Sequence, residues 1–347
     1  MTAKKSGMTA GKKKILIISA AAVVLLLGFA AYYVLSLYRG LESLSKPPES
    51  SPFKAVSTED LKVAAPPEWK GTEPVNILLM GVDARDAEDD DVPRSDSMLV
   101  VSLDPVKKSV HLLSILRDVY TEIPGHGKGR INTAITYGPN TAMQAVSDLL
   151  GVPVQYYMYT DFQGFIKLVD AVGGVDFYVE KDMYYPSEAD KHQYDIDLKK
   201  GEQHLNGDAA LQYVRFRHDA MSDYSRTERQ REFLKALSEK VKSTTSIMKL
   251  PDILNQVAPF IDTNLSVDDM WKLASASYQS TLESTEQIPP MNLINETYVG
   301  RAAVLKVKNE NELKEYVRRK LDNPDSEKPE NKEKVEAAET DGTGTAN

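Results

Sequence analysis

YYMYTDFQGFIKLVDAVGGVDFYV, residues 156–179, reads as strand, helix and strand in one short stretch. Tyr156 to Tyr159 is an aromatic run of the kind that packs in a sheet. Thr160-Asp161 supplies an N-cap, and Phe162 to Val172 sets apolar residues at helical spacing. Gly173-Gly174 ends that helix, because glycine takes the left-handed conformation a helix stop requires. Val175 to Val179 then returns to a β-branched and aromatic run. Working outward, Val75 to Met80, Met98 to Leu103 and Val110 to Leu116 are further strands, and Thr141 to Leu150 is a helix. Downstream, Ser225 to Val241 predicts a longer helix with Phe233, Leu234, Leu237 and Val241 on one face. Ser266 and Asp269 form a capping-box pattern opening a helix through about Ser277, with a last strand at Ala303 to Val307 and a last helix at Glu310 to Leu321. Strands interleaved with helices predict an α/β sandwich with a mixed sheet.

The ends of the chain differ in kind from this middle. Ile15 to Tyr38 contains no charged residue, and a helix of that length spans roughly 36 Å, enough to cross a bilayer. Lys4, Lys5, Lys12, Lys13 and Lys14 precede it and only Arg39 follows before the next acid, so the positive-inside bias puts residues 1–14 in the cytoplasm and the remainder outside. A cleaved signal peptide shares the basic start and apolar middle, but its apolar region is shorter, about 7–15 residues. Tyr32, Tyr33 and Tyr38 gather at the outer end as an interfacial belt does, which favours a retained anchor over 15–38. Residues 39–73, with Pro47, Pro48, Pro52, Pro66 and Pro67, read as a spacer, and 74–321 as the folded domain. The tail, 322–347, carries eight acids against three lysines and reads as disordered. It cancels the five N-terminal lysines, so the net charge of −9 belongs to what lies between. An acidic domain outside a membrane is unsuited to nucleic acid, which is bound by neutralising phosphates. With no cysteine, the domain has no disulfide framework and depends on an ordinary core.

Four polar clusters interrupt the apolar elements. Gly81-Val82-Asp83-Ala84-Arg85-Asp86 follows one strand and Arg94-Ser95-Asp96-Ser97 precedes the next. If those strands are antiparallel neighbours, Asp83 and Asp96 share one edge of the sheet. Two carboxylates without nearby His or Cys suit Mg2+, which takes one or two carboxylates plus phosphate oxygens. A solvated acidic loop is the alternative, since Asp86, Glu88, Asp89, Asp90 and Asp91 are adjacent. Arg117-Asp118 ends a third strand, and Gly125 to Asn132 brings glycines between His126, Lys128 and Arg130, an arrangement that can cradle a phosphate without being a P-loop. Last come Tyr213-Val214-Arg215-Phe216-Arg217 and Asp223 to Gln230. In an extended segment Arg215 and Arg217 would share a face, while Arg226 and Gln230 share a helical one. Arginine clusters are favoured where planar contact to phosphate matters. The alternative, a surface helix laced by Glu228 and Glu232, accounts for Arg229 and Arg231 but poorly for Arg215 and Arg217. The five histidines are scattered and none stands beside a Ser or Cys nucleophile, which argues against triad hydrolysis.

Taken in order, Gly-Val-Asp-Ala-Arg (81–85), Arg-Ser-Asp-Ser (94–97), Ser-Ile-Leu-Arg-Asp (114–118), Arg-Ile-Asn-Thr-Ala (130–134), Val-Gly-Gly-Val-Asp (172–176), the run from Leu205 to Arg217 and Asp-x-x-Arg-x-x-Arg-Gln (223–230) closely resemble the LytR-CpsA-Psr family of Gram-positive envelope enzymes. The resemblance covers about Val75 to Leu237 together with the anchor. It implies a three-layer α/β/α sandwich whose apolar interior takes a lipid chain. It also implies transfer of an anionic glycopolymer, such as wall teichoic acid or capsular polysaccharide, from a polyprenyl (pyro)phosphate carrier in the membrane to a peptidoglycan hydroxyl. Asp83 and Asp96 match the family's magnesium acids. Arg117, Arg215, Arg217, Arg226 and Gln230 match its pyrophosphate-binding and catalytic set, and Arg85, Lys128, Arg130, Asn132 and Asp223 are additions to it. Mg2+ and preorganised guanidinium groups suit developing phosphoryl charge. Three questions stay open at this level. The base for the acceptor hydroxyl is Asp118, Asp223 or a metal-linked carboxylate. Water in place of the sugar would make the protein a polyprenyl-pyrophosphate hydrolase. Without turnover it would be a lipid-binding regulatory protein.

Overall fold

The computed structural model describes residues 10–45, 51–54, 56, 69–83, 92–186, 192, 194–217 and 223–322; in the first helix, side chains are described at 19 and from 23 onward. Arg85, the acidic loop from Asp86 to Asp91, the N-terminal lysines up to Lys5 and all but Asp322 of the tail lie outside the described residues. Helix α1 (Ala10–Leu44) is continuous, and its stretch Val23–Leu44 is long and apolar enough to cross a membrane. The domain opens with the meander β1 (Val75–Val82), β2 (Ser95–Asp104) and β3 (Ser109–Ile115), followed by the hairpin β4 (Tyr120–Ile123) and β5 (Gly127–Arg130). Helix α2 (Pro139–Leu150) leads to β6 (Tyr156–Asp161), α3 (Phe162–Ala171) and β7 (Val175–Val179). Then come β8 (Met183–Tyr185), β9 (Ile196–Leu198), β10 (Gly201–Leu205), α4 (Gly207–Arg215), α5 (Asp223–Val241), α6 (Thr244–Met248) and α7 (Leu250–Val257). The chain closes with β11 (Ile261–Thr263), α8 (Val267–Tyr278), β12 (Thr281–Ile288), β13 (Ile294–Val299), β14 (Ala302–Val307) and α9 (Glu310–Asp322).

Six strands form the central sheet in the order β11-β6-β1-β2-β3-β12. Strands β1, β2 and β3 pair antiparallel, β6 joins β1 and β12 joins β3 in parallel, so the sheet is mixed as expected. Alternation along β1 separates two layers. Leu78, Met80 and Val82 pack into the core shared with α2 and α9, whereas Leu79 and Gly81 face a cavity roofed by α3, α4 and α5. Residues 156–179 form strand, helix and strand in that order. Asp161 caps α3 by accepting from the Gly164 N–H at 2.8 Å, and Gly173 and Gly174 follow its end at positive φ. Yet β7 pairs only with β10, in a ribbon outside the central sheet, because its exposed Asp176 and Tyr178 leave it one buried face. The capping box of α8 is present as predicted.

Three expectations about segments need correction. The first helix does not stop at Tyr38. It runs to Leu44 because Leu37, Leu41 and Leu44, at i, i+4 and i+7, are buried, and the last two join Trp69, Val75, Leu103 and Met270 in one core. Burying each such side chain is worth roughly 1.5–3 kcal/mol. Gly40 permits this approach, since a Cβ there would lie 3.0 Å from Leu254 Cβ. Residues 39–73 are therefore not a spacer throughout: Phe53 is buried edge-on against Tyr157 and Tyr159. Finally, Arg215 is the last residue of helix α4 rather than part of an extended segment.

Candidate functional site

Asp83 and Asp96 meet at the carboxyl end of β1, because β1 and β2 are antiparallel neighbours with Gly81 opposite Ser97 and Val82 opposite Ser95. That register skips Asp96. As the extra residue of a bulge, Asp96 leaves the alternation of β2 and joins the cavity side. Beneath this edge lies a cavity of about 710 Å3. Its polar end holds Asp83, Asp96, Arg215, Arg217, Arg226 and Gln230, and its apolar part is walled by Leu99, Phe165, Leu168, Leu234, Leu237 and Ile261. One face of α5 spans both environments: Arg226, Gln230, Leu234 and Leu237 recur at helical spacing.

The charges interlock. Arg117 donates to the Asp96 carboxylate, and its Nε lies 3.6 Å from Asp118 and 4.0 Å from Asp223. Asp223 Oδ1 also lies 2.8 Å from Arg226 and 3.4 Å from Arg217. Arg226, only 4 % exposed, donates to the Asp96 carbonyl at 3.0 Å. Burial pulls the Arg226 guanidinium down to about 10, with Arg217 and Arg117 adding to the effect and Asp223 opposing it. Burial also opposes the charge on Arg117, but Asp96, Asp223 and Asp118 outweigh it and raise its pKa. Arg117 Nε, Arg226 Nε and Asp223 Oδ1 are buried without an aligned hydrogen-bond partner among the described residues. Two buried donors thus retain bonding capacity beside the cavity mouth. Arg215 is held differently, its guanidinium packed against the T-shaped pair of Phe162 and Tyr194 at 4.9 and 5.3 Å from their ring centroids, donating to the Tyr194 carbonyl at 3.2 Å.

Other expected residues are placed less centrally. Arg130 pairs with Asp118 at 3.0 Å and so supports Arg117 from behind. Asn132 is buried below the Arg117 carbonyl, which accepts from its N–H at 3.2 Å, and Lys128 sits exposed in β5 opposite Glu122. None of these three lines the cavity. Arg229 is not a surface ion-pair residue. It is buried, bonded to the Phe216 carbonyl at 2.5 Å and paired with Glu180 at 3.4 Å, because it points between the ends of α4 and β7. Phe162, Tyr194 and Ser97, which bonds Gln230 Oε1 at 3.1 Å, carry no charge pattern that would reveal them in the sequence.

The chain is 36 % identical over 263 residues to a Bacillus cereus protein named polyisoprenyl-teichoic acid–peptidoglycan teichoic acid transferase TagU, covering 74 % of this chain and 80 % of that one. Among solved structures, TagT bound to LI-WTA matches with a TM-score of 0.59 and 30 % identity, over 72 % of this chain and 91 % of that one. The LytR-CPS2A-psr family protein YwtF (TagT) with bound octaprenyl pyrophosphate lipid matches with a TM-score of 0.56 and 26 % identity, over 74 % and 93 %. The model of the LytR_cpsA_psr family matches residues 33–316, which include the whole sheet and the arginine cluster, and the chain belongs to that family.

Proposed function

We propose that this protein is a transferase that moves an anionic glycopolymer, such as wall teichoic acid, from a polyprenyl pyrophosphate carrier to a peptidoglycan hydroxyl. The observation that carries this reading is the two-part cavity, apolar along Leu168, Leu234 and Leu237 and cationic at Arg215, Arg217 and Arg226. An isoprenoid chain suits the first part and a pyrophosphate the second. The relatives support it, being named for teichoic acid transfer or bound to octaprenyl pyrophosphate. In the reaction the acceptor hydroxyl oxygen bonds to the sugar-linked phosphorus while the bridging P–O bond breaks and the hydroxyl proton passes to the departing phosphate or to solvent, giving a phosphodiester and polyprenyl phosphate. Arg215, Arg217 and Arg226 stabilise charge on the phosphoryl oxygens, and Arg117 holds Asp96 in place. Asp223 Oδ1 lies within 4.0 Å of Arg117, Arg217 and Arg226, and we assign it to positioning these arginines.

Asp83 and Asp96 are the residues that would hold Mg2+. They face one cavity from one sheet edge, and the described residues contain no group of three or more metal-ligating side chains, so phosphate oxygens would complete the coordination. Bound there, Mg2+ would neutralise pyrophosphate charge. The anchor α1 would place its N-terminus in the cytoplasm and the domain in the cell envelope beside the lipid donor.

The test is transfer by the full-length protein from a lipid-pyrophosphate-linked polymer to peptidoglycan oligomers. Linked product should form only with acceptor, vanish with EDTA and return with Mg2+, and Arg215→Ala should lower the rate by about 100-fold or more. Polymer released equally without acceptor would make the protein a hydrolase, and full activity of a folded Arg215→Ala protein would remove that residue from the chemistry.

A further inference from the structure

Helix α6 touches the anchor helix α1 at Tyr33. Tyr33 lies within the apolar stretch Val23–Leu44, and its hydroxyl donates to the Ile247 carbonyl of α6. Helix α6 therefore sits at the depth of Tyr33 on the anchor. Its side chains Ile247 and Met248 are exposed, Met248 at 67 %. On α1 itself the packing face is Leu37, Leu41 and Leu44; Val34, one turn earlier on the same stripe, is exposed, as are Leu35 and Tyr38 off it. Exposed apolar side chains thus occur both on the anchor next to Tyr33, at Val34, and on α6, with Lys242 and the exposed Lys249 at the two ends of α6.

We infer that α6, through Ile247 and Met248 with Lys249 at its rim, is a membrane-contact surface that seats the domain in the interfacial layer of the bilayer. The inference rests on the reading of α1 as a transmembrane anchor. With the span ending at Tyr38, Tyr33 lies five residues deeper, about 7.5 Å along the helix. Interfacial apolar helices bury roughly 5–10 Å into the boundary between headgroups and acyl chains, so the depth matches. A lysine beside such a patch favours anionic lipid. The placement also orients the cavity. Along α5 the lining descends from Arg226 and Gln230 to Leu234 and Leu237, and α6 follows at that apolar end. The isoprenoid part of the cavity is thereby the part nearer the bilayer.

The absence of native cysteine allows one label per variant. Met248→Cys, Leu26→Cys in the anchor and Arg301→Cys at the β13–β14 turn are each labelled with an environment-sensitive fluorophore in the full-length protein. Arg301 marks the far side, since β13 meets Tyr224, at the opposite end of α5 from α6, through Glu296. The proteins are placed in phosphatidylcholine–phosphatidylglycerol vesicles with and without doxyl-labelled lipid. The labels at 248 and 26, both within the acyl or interfacial layer, should each lose emission to the doxyl lipid, and the label at 301 should not. Quenching at 26 with position 248 behaving like 301 overturns the membrane contact while leaving the anchor intact. Lack of quenching at 26 overturns both. Shielding of 248 that doxyl lipid does not affect assigns the patch to a protein contact instead.

Discussion

At 4 % exposure, the Arg226 guanidinium has exchanged water for the Asp96 carbonyl, the Asp223 carboxylate and two neighbouring arginines. Holding like charges together costs energy in the resting protein, and an anion of high charge would relieve it, as the proposed pyrophosphate donor requires. His111 is a second buried titratable group, on β3, with Nδ1 at 2.9 Å from Ser284 Oγ. Burial lowers its pKa, against the pull of Glu283, Asp104 and Glu286. The unfolded chain takes up a proton at this residue near pH 6.5 and the folded chain only at lower pH. The unfolded state therefore binds more protons in that window, and stability is lost as pH falls through about 6.5. His111→Asn should flatten the fall in melting temperature between about pH 7.5 and about pH 5.5, measured in detergent; an unchanged slope would assign it to other groups.

Elements show where sequence patterns reach and where they stop. The cavity face of α5 follows from spacing alone, because a helix brings residues three and four apart to one side. Asp96 does not: its direction depends on a bulge that forms only when β2 pairs with β1. The two-residue spacing of Arg215 and Arg217 suggests an extended segment, but Asn206, which accepts from the Ala209 N–H at 2.9 Å, starts a helix that carries Arg215 to the cavity mouth. The first residue of that helix is Gly207, where a Cβ would lie 2.4 Å from the Ile166 carbonyl oxygen of α3. Backbone cannot yield there as a flexible side chain could. Gly207→Ala should cost about 1–3 kcal/mol, read as a lowered denaturation midpoint, and should also weaken transfer by shifting Arg215. An unchanged midpoint would mean that α3 and α4 separate easily.

For the molecule as a whole, the cavity lies between one sheet face and a roof of three helices, so its volume belongs to no single element. Leu234→Trp should fill part of its apolar section. Transfer from a long-chain polyprenyl donor should then lose affinity by about tenfold or more, as expected when an apolar pocket no longer accommodates its ligand, whereas a short-chain analogue should be little affected. Equal losses for both donors would place the isoprenoid elsewhere.

By itself the sequence determined the long apolar helix, the strands β1, β2, β3 and β6, the caps of α3 and α8, and the order of motifs that marks the family. Each is written in residues close together in the chain, where periodicity and capping act. Only the tertiary structure decided that β7 leaves the central sheet for β10, and that the polar segment Thr281–Ile288 enters it as an edge strand beside β3. It alone gathered Asp96, Arg117, Arg215, Asp223 and Arg226 around one cavity mouth and fastened the end of α1 to the domain. These outcomes depend on which distant surfaces bury one another and which charges must share a desolvated space, and no local pattern encodes either.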